Sequence, residues 1–156
     1  MSSIFVSGPS NSGKTTLIEK LISRLREEGL RVGTIKHAHH GFEADLPGKD
    51  SFRHTQAGAN AVTVIAPGEA FFLTKTANEM SLEEAMSRMA LYADLILIEG
   101  YKEVSGPKIL IEPDGQKRIH VEKGLCRVGV RPDQLSSGEL ERIVSFVVSF
   151  LRRPAG

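Results

Sequence analysis

The chain has little cysteine, no long apolar run and no excess of either charge. Its one cysteine, Cys126, rules out a disulfide within the chain. The apolar setting Leu125-Cys126-Arg127-Val128-Gly129-Val130 points to a buried structural thiol in a reducing compartment. No apolar run approaches the roughly 18 residues of a membrane-spanning helix, and Met1-Ser2-Ser3 leads directly into Ile4-Phe5-Val6 with no basic segment before it. A cytoplasmic protein with no membrane partner is expected. Twenty Lys and Arg against nineteen Asp and Glu leave a charge of +1, so no whole-molecule field favours nucleic acid. Repeats and low-complexity tracts are absent too. With 156 residues, 40% apolar and 25% charged, residues 1–156 are expected to form one domain with a sizeable core.

What is present alternates between two periodicities. Ile4-Phe5-Val6 reads as a buried strand. Leu17, Ile18, Leu21, Ile22 and Leu25 then recur at helical spacing, with Glu19, Lys20, Arg24 and Arg26 on the other face and Gly29 as the stop. Residues 30–37 read as the next strand, giving a right-handed parallel unit. Residues 39–48 form a loop of functional length, followed by a short helix over 49–57. Residues 61–66 and 70–73, turned at Pro67-Gly68, predict a hairpin that adds an antiparallel edge to the sheet. Ser81 and Glu84 fit a capping box for a helix carrying Leu82, Ala85, Met86 and Met89. Residues 94–99 predict a central strand, and 108–112 and 125–130 two more. The last helix places Leu140, Ile143, Val144, Val147, Val148 and Leu151 on one side and Phe146 and Phe150 on another, which suggests a dimer contact.

The segment GPSNSGKTT, Gly8 to Thr16, satisfies G-x-x-x-x-G-K-[ST] between a strand and an amphipathic helix. Gly8 and Gly13 let the backbone curl around a phosphate, and the amides of Ser10, Asn11 and Ser12 form an anion nest. Lys14 spans the β and γ phosphates, Thr15 is a natural Mg²⁺ ligand, and Thr16 is placed for the α phosphate. The fold class is therefore α/β, a P-loop NTPase with a mostly parallel sheet, helices on both faces and an antiparallel edge hairpin. Its ligand belongs at the carboxyl ends of the strands.

Metal-assisted phosphoryl chemistry needs an acid at a second strand end. Glu99 follows the run Leu95-Ile96-Leu97-Ile98, and Gly100 can offer its N–H to a γ phosphate. Asp50 is a candidate second metal-shell acid, and Lys49 and Arg53 are candidate phosphate cations. Four histidines, His37, His39, His40 and His54, cluster in the same region. They read either as transition-metal ligands or, for His37 and His54, as phosphate contacts. Base identity stays open: an N/T-K-x-D element would mark guanine, but Thr74-Lys75-Thr76-Ala77 lacks the Asp, and Asp133 is an alternative acceptor.

Together GPSNSGKTTL, TIKHAHH, GKDSFRHTQAGA and LILIEGYK resemble the MobB family of molybdopterin-guanine dinucleotide biosynthesis adapter proteins, over most of the first hundred residues. The resemblance implies a dimeric GTP-binding adapter with weak GTPase activity. It further implies that the protein assists the guanylyltransferase MobA as GMP is attached to molybdopterin, with GTP and Mg²⁺ as cofactors. The family's phosphate-binding pattern falls on Gly8 to Thr16, its acid and glycine on Glu99 and Gly100, and its Asp and Arg-His element on Asp50, Arg53 and His54. Two other classes use the same motifs: a metal-insertion GTPase working through the histidine loop, and an ATP-dependent small-molecule kinase.

Overall fold

The computed structural model describes residues 2–38, 41–42, 45–112 and 119–151. The chain divides into two compact units, Met1–His37 with Glu83–Gly156, and Ala38–Leu82.

The first unit is built on a six-stranded sheet. Its strands are β1 (Ser2–Ser7), β2 (Val32–Lys36), β5 (Leu95–Glu99), β6 (Lys108–Ile111), β7 (Ile119–Glu122) and β8 (Leu125–Val128), in the order β2-β5-β1-β6-β8-β7. All neighbours are parallel except β7 and β8. The central strands β1 and β5 are apolar on both faces, as a parallel strand covered on two sides requires. On one face Ile4, Val6, Leu95, Leu97, Ile109 and Ile111 pack against Leu17, Leu21 and Leu25 of helix α1 (Lys14–Glu27) and Ile143, Val144 and Val147 of helix α4 (Ser137–Leu151). On the other, Phe5, Ile96 and Ile98 are buried. There helix α3 (Leu82–Met89) brings Met89 against Gly33, and the ring of Phe5 lies under Gly106. Helices therefore cover both faces, as expected.

Local signals set the element ends. α1 stops where the Leu30 N–H donates to Leu25 O and Gly29 takes a positive φ. α4 starts with a reciprocal cap: the Ser136 N–H donates to Glu139 Oε2, and the Glu139 N–H to Ser136 Oγ. Arg31 donates to both carboxylate oxygens of Asp94, tying the starts of β2 and β5 together and holding the Asp94 carboxyl below its ordinary range.

The second unit contains helix α2 (Asp50–Gln56) and the antiparallel pair β3 (Ala61–Ala66) and β4 (Glu69–Thr74), which turn at 67–68. The hairpin forms where the alternation places it, but as its own two-stranded sheet. The antiparallel edge of the large sheet is β7, a four-residue strand returned to β8 through Lys123-Gly124 and too short to stand out in the sequence. Phe146, expected in a dimer contact, is instead part of the core and meets Phe150 edge to face at 5.1 Å.

Cys126 is fully buried on β8, and burial pushes its thiol up to about 11. At pH 8 the folded protein is expected to react with iodoacetamide at least about tenfold more slowly than the urea-unfolded chain. Equal rates, followed by mass spectrometry, would contradict the buried placement.

Candidate functional site

The site grows from the carboxyl end of β1. The chain leaves Ser7, curls through 8–13 and enters α1 at Lys14. Two glycines make this curl possible. Gly8 has φ +154°, and a Cβ there would lie 2.8 Å from both Ile111 O and Ser12 Oγ. Gly13 has φ +91°, and its Cβ would stand 2.7 Å from Pro132 Cδ. Asn11, at φ +58°, is of a residue type that tolerates the left-handed region. Ser10 and Asn11 are exposed.

The polar groups of this loop point to an anion. Lys14 Nζ is held within the curl, donating to Pro9 O at 2.6 Å and Gly8 O at 3.2 Å. Ser7 Oγ and Ser12 Oγ are buried without a hydrogen-bond partner, an expensive condition that a bound acceptor would relieve. The first turn of α1 carries Thr15 and Thr16 and no acidic residue, so its positive dipole end stays uncompensated. These residues fit a nucleotide's phosphates.

Sheet register brings Glu99 to the same end. Glu99 pairs with Val6 on one side and Lys36 on the other. The Gly100 N–H donates to Val6 O, and the His37 N–H to Glu99 O. The Glu99 side chain is 15% exposed, with Lys36 Nζ at 3.9 Å. Just beyond, Tyr101 takes φ +49° and stacks on His37, ring centroids 4.5 Å apart. A tyrosine in the left-handed region carries strain of about 1–3 kcal/mol, and strain of this kind clusters at functional sites. The turn Pro132–Gln134 packs its proline on Gly13, and Asp133 accepts from Arg131 Nε at 3.4 Å.

Among the sequence-predicted residues, Gly8 to Thr16, Glu99, Gly100 and His37 thus gather at one end of the large sheet. Lys49, Asp50, Arg53 and His54 belong to the second unit. There Lys49 occupies the N-cap position of α2 without a side-chain cap, and exposed Asp50 lies 3.7 Å from Arg53. His39 and His40 lie outside the described residues. Among the described residues no three His, Cys, Asp or Glu groups converge as metal ligands, and no helix is long and apolar enough to cross a membrane. Sequence reasoning missed Ser7, Tyr101 and Pro132. Ser7 ends a strand at the motif's border, so its position was a signal; the other two act through contacts distant in sequence.

The family model for molybdopterin guanine dinucleotide synthesis protein B matches residues 3–125. The chain belongs to this family. The molybdopterin-guanine dinucleotide biosynthesis adapter protein of Escherichia coli K12 is 36% identical, over 94% of this chain and 91% of its own length. The Haemophilus influenzae adapter is 40% identical over 68% of this chain and 60% of its length. A crystal structure of molybdopterin-guanine biosynthesis protein B superposes with a TM-score of 0.69 at 28% identity, covering 97% of this chain and 99% of that one. The family's fold accords with the α/β P-loop NTPase architecture described above.

Proposed function

We propose that the chain is a GTP-binding adapter with weak GTPase activity in molybdopterin-guanine dinucleotide biosynthesis, working with the guanylyltransferase MobA. The observation that carries this reading is the curl of 8–13, with Lys14 inside it and two buried, unpartnered hydroxyls, beside the carboxylate of Glu99. Lys14 and the loop amides would hold the β and γ phosphates, with Ser7 and Ser12 adding hydroxyl donors. Thr15 and Glu99 would hold Mg²⁺, which when bound offsets charge on the phosphoryl oxygens. Gly100 and the strained Tyr101–His37 pair would set the position of Glu99 and of the attacking water. Local charge supports phosphate or metal roles for Lys49, Asp50 and Arg53, and the family resemblance supports those of Asp50, Arg53 and His54.

Positioning supplies most phosphoryl-transfer catalysis. A site that lacks a partner's ordering contacts is therefore slow. GTP turnover is expected to rise about tenfold or more with saturating guanylyltransferase, measured as phosphate release. No change would contradict the adapter's gated hydrolysis.

The proposal includes a homodimer. In the β3–β4 hairpin, Val62, Phe71 and Leu73 are buried or half-buried, whereas Ile65 and Phe72 on the opposite face are 81% and 68% exposed. A lone two-stranded hairpin is marginal in water, and such a face gains from a second copy.

A further inference from the structure

The second unit contains a cavity that the phosphate site does not use. About 300 Å³ in volume, it lies between α2 and β4 and is lined by Phe42, Asp45, Phe52, Thr55, Leu73 and Lys75, among others. Its walls are mainly apolar, and two charged residues, Asp45 and Lys75, stand among them. Asp45 Oδ1 accepts from the Leu46 N–H at 2.8 Å. Asp45 Oδ2 is buried from solvent and has no hydrogen-bond partner. Lys75 also lines the cavity but makes no ion pair with Asp45; its ammonium donates to Thr55 O at 3.0 Å.

A desolvated carboxylate oxygen without a donor is costly, and the walls limit what can supply one. A phosphate or carboxylate ligand would meet like charge from Asp45. A metal ion would find one carboxylate and aromatic rings, a poor donor set. A flexible amine would satisfy Asp45 but gain little from Phe42, Phe52 and Leu73. A flat heterocycle does both, laying its faces on the apolar walls and turning an N–H edge to the carboxylate. We infer that this cavity binds a planar fused ring bearing adjacent ring N–H and amino donors, the 2-amino-4-oxo edge shared by guanine and pterin, with Asp45 accepting from that edge. This deepens the proposed role and rests on it for the choice of the guanine and pterin edge.

The test is equilibrium titration of the full chain with free pterin, followed by its fluorescence, and with guanosine, by calorimetry. Lumazine, where an oxo group replaces the amino group, and adenosine, which presents an acceptor beside its donor, are the control rings. The expected result is one saturable site per chain for pterin, guanosine or both, about tenfold or more tighter than for either control. Pterin alone would identify a pterin as the occupant, and guanosine alone a nucleotide base. Asp45→Asn, which keeps the bond to Leu46 while reversing the free atom from acceptor to donor, should weaken binding about tenfold or more. Phe52→Leu, with an unchanged melting temperature, should weaken it as well. Lys14→Ala should leave ring binding intact. No saturation by either ring, equal binding of the controls, an unaffected Asp45→Asn variant, or loss of ring binding in Lys14→Ala would each overturn the assignment. GTP binding that depends on Lys14 without ring binding would remove this cavity's role and leave the phosphate site standing.

Discussion

Lys14→Ala is expected to weaken GTP binding by about 100-fold or more, since it deletes charge-assisted hydrogen bonds worth roughly 1.5–3 kcal/mol each to two phosphates. The ammonium already sits in the curl, on the carbonyls of Gly8 and Pro9, so the wild-type side chain need travel little to engage an anion. Glu99→Gln should behave differently. Its amide retains the shape at the end of β5 and leaves the loop intact, so GTP binding should stay within about tenfold. Phosphate release should fall by about 10²–10³, the usual cost of removing one preorganised electrostatic group. Isothermal titration and a phosphate-release assay separate the two effects. Wild-type affinity in Lys14→Ala, or wild-type turnover in Glu99→Gln, would contradict the roles given to these residues.

The double substitution Ile65→Asp and Phe72→Asp is expected to convert a dimer into monomers. Both side chains occupy the exposed face of the hairpin, where Thr63 pairs with Phe72 and Ile65 with Ala70. Burying each would contribute about 1.5–3 kcal/mol, and a two-fold interface uses the face twice. The loss is on the order of 6 kcal/mol, about 10⁴-fold in dissociation constant. Sedimentation velocity at micromolar concentration reads the result directly. A wild-type monomer, or a variant that remains dimeric, would contradict the assignment of this face.

Much of the first unit is visible in the sequence because its elements are long and strongly periodic. The stripe Leu17, Leu21 and Leu25 of α1 and the unbroken run Leu95 to Ile98 of β5 are each buried as their pattern demands. The loop 8–13 is visible for another reason: a backbone with positive φ at Gly8 and Gly13 restricts which residues can occupy it. Glu99 could be chosen because it ends a buried strand, but that Lys36 would lie beside it depends on the pairing of β2 with β5.

Features set by distant contacts were not legible. β7 has only four residues and gains its order by pairing with β8. That the hairpin stands as a separate sheet depends on which edge it meets, and alternation within 61–74 carries no such information. Tyr101 looks ordinary until His37, just past the end of β2, stacks on it. Asp45 resembles any loop acid until its Oδ2 is found buried without a partner, in a residue that lines one cavity with Phe52 and Leu73.

The proposed function requires the loop at 8–16 to hold a guanine nucleotide. It is tested most directly by a competition titration of GTP against ATP with Mg²⁺ on the wild-type chain, with Lys14→Ala as the control. The expected result is a GTP preference of about tenfold or more, abolished by the substitution. Equal affinity or a preference for ATP would contradict the guanine assignment, and triphosphate binding unaffected by Lys14→Ala would contradict the site itself.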